Sequence, residues 1–209
     1  LLERYVESEK NKLRVWSPPP KAYSSLKSLL HRRATLIQNH SGLMLSWANE
    51  PLLKKVQTAQ QKAFKQADQA IQKLLRKVSK EAGIEENIDR CKAIEGVGEL
   101  TATGLAVTFM RGAFANSDAF IAFLGMDLAV DDSGKKKGVR HLTKKGDPEI
   151  RRLTYNAAMA ACRSSKWKPF YESYLARGFS KTQALVALAR KLCRVAFALM
   201  KNQSQYLSA

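Results

Sequence analysis

Apolar residues recur at helical spacing through the first third of the chain, after a proline-rich segment at positions 18–20. Three or four residues per step is the spacing of one face of an amphipathic helix. The first such series predicts a long helix and consists of Tyr23, Leu26, Leu30, Ile37, Met44 and Trp47. The break that follows ends at Pro51, a residue well suited to the first turn of another helix.

The second series is narrower and steps by three or four residues, with Gln and Lys between its members. It comprises Leu52, Val56, Ala59, Ala63, Ala67, Ala70, Leu74 and Val78. A narrow apolar seam is typical of coiled coils. Together the two series predict an antiparallel coiled-coil hairpin over residues 18–87. Charge runs on long helices are usually solvated faces, which favours a spacer or dimerisation arm over a specific ligand site.

A second unit, over residues 88–209, begins with a glycine pattern inside "IEGVGELTA". Gly96 and Gly98 allow backbone conformations and close approaches that a Cβ would prevent, and they precede a helix whose first N–H groups can hold a phosphate. The pattern predicts a helix-hairpin-helix element within a compact helical domain, and hence a mainly all-α fold. The alternative is a plain tight turn between two packed helices, because short glycine motifs match by chance.

A strongly basic segment follows the apolar helix "DAFIAFLG". Asp147 is the predicted N-cap of the next helix and Pro148 its first residue. Lysines and arginines crowd the loop and the first turns of that helix, where they suit contacts to phosphate. The predicted nucleic-acid-binding residues are Gly96, Gly98, Gly134, Lys135, Lys136, Lys137, Arg140, Lys144, Lys145, Arg151 and Arg152.

Ser133 stands at the edge of this basic segment. A serine followed by lysines is more often a solvated loop hydroxyl, since a nucleophile needs a base or cations to activate it. The cations here would suit attack on a phosphodiester, so both interpretations stay open on the residues alone. His141 is interpreted as a solvated or phosphate-contacting ring. Asp131 and Asp132 are a weak candidate for a metal site, because adjacent carboxylates rarely point the same way.

Charge and cysteine content narrow the class of protein. The chain carries 36 Lys+Arg against 18 Asp+Glu, a net charge of +18 over 209 residues, which favours a nucleic-acid partner over a dimerising scaffold. The three cysteines, Cys91, Cys162 and Cys193, lack metal-ligand spacing and are predicted to be buried free thiols. With no apolar run long enough to span a membrane, the chain is predicted to be cytoplasmic or nucleoid-associated.

Several of these segments, in order, resemble one family. "IEGVGELTATGLA", "FLG", Ser133-Gly134, "TKKGDPEIRRL", "AMAACRSS" and "FYESYLARG" are similar to the C-terminal domain of RNA-guided, serine-type insertion-sequence transposases, a family that includes the Piv-like DNA invertases. The resemblance covers residues 88–206. More weakly, residues 1–17 resemble the end of that family's RuvC-like domain, and residues 18–87 its coiled-coil connector.

The resemblance implies a DNA recombinase in which Ser133 attacks DNA and forms a covalent phosphoserine intermediate. It also implies a preceding RuvC-like domain that binds Mg²⁺, a noncoding bridge RNA that selects the DNA, and a homodimer or tetramer. This chain is expected to lack the metal-binding domain, to hold no metal or other cofactor itself, and to be inactive alone. Two departures from the family pattern concern the loop geometry: Met126 and Asp127 where a proline is usual, and Asp131-Asp132 directly before the serine. The alternative function is a noncatalytic DNA- or RNA-binding helix-hairpin-helix module.

Overall fold

The computed structural model describes residues 3–4, 7, 17–129 and 140–207. Most of them are helical, which confirms the mainly all-α prediction. The helices are α1 (Lys21–Ser46), α2 (Lys54–Glu81), α3 (Glu85–Lys92), α4 (Glu99–Phe109), α5 (Ser117–Phe123), α6 (Pro148–Ala161), α7 (Lys168–Ala176) and α8 (Lys181–Asn202). A 3₁₀ turn, Pro51–Leu53, precedes α2. Two short strands, β1 (Leu128–Ala129) and β2 (His141–Leu142), stand between α5 and α6.

Helices α1 and α2 pack side by side and run antiparallel. The Arg33 guanidinium lies 2.7 Å from the Asp68 carboxylate. The rings of His40 and Phe64 stack with their centroids 3.8 Å apart. Nearer the turn, Gln57 donates to the carbonyl of residue 47. Residues later in α1 therefore meet residues earlier in α2, as an antiparallel pair requires.

The face that α2 turns towards α1 is not the predicted seam. Leu52 is 93% exposed and Leu74 is 48% exposed, whereas the adjacent Leu75 is 3% exposed. Phe64 stacks on α1, and Ile71 packs against the core beside Leu75. The predicted seam was wrong because its alanines are small enough to lie on either face. The orientation of a helix is decided by the large side chains that must be buried.

The core of the chain is built around α8, whose buried face runs from Ala184 to Met200. This helix begins with a capping box, in which Ser180 and Gln183 each bond the other's backbone N–H. Leu26 and Leu30 of α1 are buried in the same core cluster as α8. The core thus extends across the predicted boundary between residues 87 and 88, and the first part of α1 is packed as part of the helical domain.

The cysteines lie at different depths. Cys91 and Cys193 are fully buried, and burial raises the pKa of each thiol to about 12. Cys162 is half-buried, so the prediction of buried thiols was wrong for it: it stands at the last turn of α6, where the helix meets solvent. All three are free thiols. Among the described residues, no helix is long and apolar enough to cross a membrane.

Candidate nucleic-acid site around the Ser133 segment

The two short strands bring together both ends of the segment that contains Ser133. Leu128 pairs with Leu142 and Ala129 with His141, in antiparallel register. Asp127 and Thr143 extend this pairing, because the N–H of Thr143 donates to the Asp127 carbonyl and its hydroxyl donates to the Asp127 carboxylate. Predicted site residues Ser133, Gly134, Lys135, Lys136 and Lys137, with Asp131 and Asp132, lie outside the described residues.

Next to the strands, two glycines bring the backbone before β1 into direct contact with the backbone after β2. Gly125 has a left-handed φ of +66°, and a Cβ there would lie 2.2 Å from the nitrogen of Gly146. A Cβ on Gly146 would lie 2.2 Å from the carbonyl carbon of Leu124. Only glycine fits at either position, because real Cβ atoms do not approach backbone this closely. The N–H of Lys144, itself at φ 56°, donates to the Gly125 carbonyl.

Arg151 holds this glycine contact from the side of α6. Its Nη1 lies 2.5 Å from the carbonyl oxygen of Gly146 and 3.5 Å from that of Leu124. The predicted phosphate ligand therefore has one of its nitrogens committed to the backbone of the loop base. Arg152 is likewise engaged, since its guanidinium donates two hydrogen bonds, of 2.8 and 2.7 Å, to the nearly buried carboxylate of Glu149.

Asp147 links the loop base to α1. Its Oδ1 accepts hydrogen bonds from the backbone N–H groups of Glu149 and Ile150, which confirms the predicted N-cap, with Pro148 as the first residue of α6. Its Oδ2 lies 2.7 Å from Nε2 of His31 and 3.3 Å from Nζ of Lys27. Burial raises the pKa of Asp147, but the His31 hydrogen bond and the nearby cations outweigh it, so the pKa is lowered overall. An ionised carboxylate only accepts hydrogen bonds, so Nε2 of His31 carries the proton.

The remaining predicted cations of the described loop are exposed. Arg140, Lys144 and Lys145 project into solvent within six residues of one another. Exposed cations close to one another and to a loop are available to phosphates. Of the predicted basic residues that the structure describes, Arg140, Lys144 and Lys145 are exposed, whereas Arg151 and Arg152 are hydrogen-bonded within the protein.

Comparison with known proteins shows what this part of the chain is similar to. Residues 89–173 match the Transposase IS116/IS110/IS902 family. This transposase-family region contains β1, β2, the glycine contact, Asp147 and α6. The resemblance inferred from sequence is confirmed at the level of insertion-sequence transposases. Serine chemistry and RNA guidance do not follow from the match.

Curated relatives carry related names. The chain is 29% identical over 118 residues to the Streptomyces coelicolor "Insertion element IS110 uncharacterized 43.6 kDa protein", covering 56% of this chain and 29% of the relative. It is 26% identical over 141 residues to the Pseudomonas aeruginosa "Probable family 20 transposase", covering 65% and 42%. It is 29% identical over 163 residues to the Coxiella burnetii "Transposase for insertion sequence element IS1111A", covering 75% and 44%. The chain therefore spans less than half the length of each of these relatives.

The transposase-family region also holds the glycine hairpin between α3 and α4. Gly96 has φ +87°, and a Cβ there would lie 2.5 Å from the nitrogen of Ala161, so its missing side chain serves packing against α6. Gly98 caps α4 and has open space around its Cα. The first residue of α4 is Glu99, which is paired with Arg76 through contacts of 2.5 and 2.9 Å. A carboxylate at this position competes with phosphate for the helix N-terminus, so the helix-hairpin-helix role remains a prediction that rests on Gly98.

The sequence did not predict the residues of α1 that contact Asp147 at the loop base. His31 and Lys27 lie more than 115 residues before Asp147, and only the tertiary structure brings them to it. Gly125 was recognised within "FLG" but not as a contact to Gly146. No cluster of three or more His, Cys, Asp or Glu able to hold a metal lies within the part of the chain that the structure describes.

Proposed function

We propose that this chain is the serine-bearing part of a DNA transposase, and that Ser133 is its nucleophile. The match of residues 89–173 to an insertion-sequence transposase family supports the class of reaction. The net charge of +18 supports a polyanionic partner.

The observation that carries the proposal is the built base of the Ser133 segment. Paired strands and a glycine–glycine contact fix where the segment leaves and re-enters the fold. Arg140, Lys144 and Lys145 are exposed at that base. A nucleophile carried by the segment between these two points, beside exposed cations, can meet a phosphodiester whose charge is stabilised as the reaction proceeds.

In the proposed step, Oγ of Ser133 attacks a DNA phosphorus atom and a P–O bond to deoxyribose breaks. The serine proton is transferred, in net terms, to the departing deoxyribose oxygen, and the product is a phosphoserine linkage. Arg140 and Lys144 stabilise the phosphate charge. Arg151 acts as a positioning residue, because its guanidinium holds the loop carbonyls.

For the complete transposase, we further propose the features that the family resemblance implies. These are a RuvC-like domain with Mg²⁺, a bridge RNA that selects the DNA, and a dimer or tetramer in the bacterial cytoplasm. The present chain would then supply the serine and the DNA-backbone contacts, and would cleave DNA poorly alone.

The nucleophile is tested in the complete transposase, assembled with its RNA and Mg²⁺. Ser133→Ala should abolish the protease-sensitive protein–DNA adduct while DNA binding stays near wild type, because one hydroxyl contributes little to a contact with many phosphates. Ser173→Ala, a change at an exposed serine of α7, is the control and should form the adduct normally. If Ser133→Ala still forms the adduct at wild-type yield, the chain is a noncatalytic nucleic-acid-binding module instead.

Nucleic-acid binding is tested on the chain itself by fluorescence anisotropy with duplex DNA and with a structured RNA. If six to ten cations neutralise phosphates, affinity should fall by roughly 10³–10⁵ between 50 and 200 mM salt. A nearly flat salt response on both probes would contradict a backbone-binding function.

A further inference from the structure

Arg190 of α8 is a half-buried arginine without a hydrogen-bonded or ionic partner among the described residues. Its Nε is inaccessible to solvent and donates no hydrogen bond. Arg194, one turn further along the same helix, differs in this respect. The guanidinium of Arg194 donates two hydrogen bonds, of 3.3 and 2.9 Å, to the carboxylate of Asp118.

The surroundings of Arg190 disfavour its positive charge. Burial lowers the pKa of Arg190, and the neighbouring Arg194 lowers it further, while Asp118, Tyr174 and Asp127 act in the opposite direction. A guanidinium removed from water without a partner destabilises the fold, and it is stabilised as soon as an anion binds it. Arg190 therefore lowers the stability of the free protein, and it is suited to bind a negatively charged ligand.

Neither nearby carboxylate neutralises Arg190 directly. Asp118 is engaged by Arg194, and Asp127 is engaged by the hydroxyl of Thr143. Asp127 immediately precedes β1 and is near enough to raise the pKa of Arg190, so Arg190 lies near the base of the Ser133 segment. Tyr174, which also acts on Arg190, has a second cation beside it, because the Arg177 guanidinium stands 4.9 Å from the centre of the Tyr174 ring.

We propose that Arg190 binds a backbone phosphate of the DNA strand that the Ser133 segment engages, with Arg177 and Tyr174 completing the contact. The inference rests on the proposed function and extends it to Tyr174, Arg177 and Arg190, which lie beyond the matched residues 89–173. A planar guanidinium offers a forked pair of donors that fits two phosphate oxygens.

The experiment compares two arginines on one helix. Wild type, Arg190→Gln and Arg194→Gln are titrated against a fluorescent 20-base-pair DNA duplex by anisotropy at several salt concentrations. Both substitutions remove one positive charge, but of the two guanidinium groups only that of Arg194 is hydrogen-bonded to a carboxylate in the free protein. Arg190→Gln should weaken binding about tenfold, as expected for a lost charged hydrogen bond, and lower the salt slope by about one. Arg194→Gln should weaken binding several-fold less.

Thermal unfolding of the free proteins separates a ligand site from a structural residue. Arg190→Gln should leave Tm unchanged or raise it, because the substitution removes an unpaired, desolvated charge. A fall in Tm with unchanged DNA affinity would show that Arg190 is structural and would overturn the inference. Arg190→Lys, which keeps the charge but loses the fork, should bind more weakly than wild type and provides the same comparison if the glutamine variant folds poorly.

The two proposals fail in different ways. If wild type does not bind DNA even at 50 mM salt, the proposed function is wrong. If wild type binds and the two glutamine variants lose affinity equally, only net charge matters and the Arg190 site is wrong. If Arg190→Gln weakens binding to a hairpin RNA but not to duplex DNA, the site belongs to RNA and the DNA assignment is overturned.

Discussion

The contact between Gly125 and Gly146 gives a quantitative prediction about the base of the Ser133 segment. In Gly146→Ala, the new Cβ would lie 2.2 Å from the Leu124 carbonyl carbon. Backbone cannot rotate away as a side chain can, so the strands must separate or shift, at a cost of about 1–3 kcal/mol. In Gly125→Ala, a similar overlap is joined by the left-handed φ of +66°, which adds about 1–2 kcal/mol.

Urea denaturation followed by circular dichroism at 222 nm measures these costs. With a slope of about 2 kcal/mol/M, a loss of about 3 kcal/mol moves the midpoint down by about 1.5 M. The expected order of stability is wild type, then Gly146→Ala, then Gly125→Ala. Gly42→Ala is the matched control, because Gly42 lies within α1 with open space at its Cα. That control should gain about 0.5–1 kcal/mol, since alanine favours helix.

The reasoning would be refuted if Gly146→Ala and Gly42→Ala gave the same midpoint. Such a result would mean that the backbone at Gly125 and the backbone at Gly146 are not in contact in solution. If Gly146→Ala is destabilised as expected, the proposed function predicts that adduct formation also falls, because the points where the Ser133 segment leaves and re-enters the fold would have shifted.

Three further outcomes are expected. Asp147→Asn keeps an N-cap but loses the negative charge, so it should reduce the free energy of unfolding at pH 7. Because folding lowers the pKa of Asp147, the difference from wild type should disappear as the pH falls below about 4 through that lowered pKa. Urea unfolding at a series of pH values measures this difference. Leu75→Ala should lower the free energy of unfolding by about 2–5 kcal/mol, whereas Leu74→Ala should change it by no more than about 0.5 kcal/mol. Equal losses would contradict the described packing of α2. Cys91 and Cys193 should react with a thiol reagent at pH 8 only after denaturant is added, whereas prompt reaction of all three thiols would contradict their burial.

The sequence predicted those features that depend on neighbouring residues. The N-cap at Asp147 followed from a short polar side chain directly before a proline and an apolar run, and the structure confirms it. The helical class followed from spacing. The face of α2 did not, because its alanines are compatible with two orientations and the choice is made by Phe64 and Leu75.

Features that depend on distant residues were not predictable in the same way. Arg151 was predicted to bind phosphate, and that prediction stands, but the contact of its Nη1 with carbonyls of the loop base depends on folding and could not be predicted. His31 and Asp147 stand 116 residues apart. Arg190 belongs to no motif, and its half-buried guanidinium without a partner among the described residues is visible only in the folded structure.

The packing of α1 has a mechanical consequence. Leu26 and Leu30 are buried in the domain core, while Arg33 and His40 contact α2. At a rise of about 1.5 Å per residue, the continuous helix extends about 22 Å from residue 31 to residue 46. A continuous α-helix transmits force along its length. A force applied at the turn around residues 47–53 would therefore reach His31, which contacts the N-cap of α6, and through it the base of the Ser133 segment.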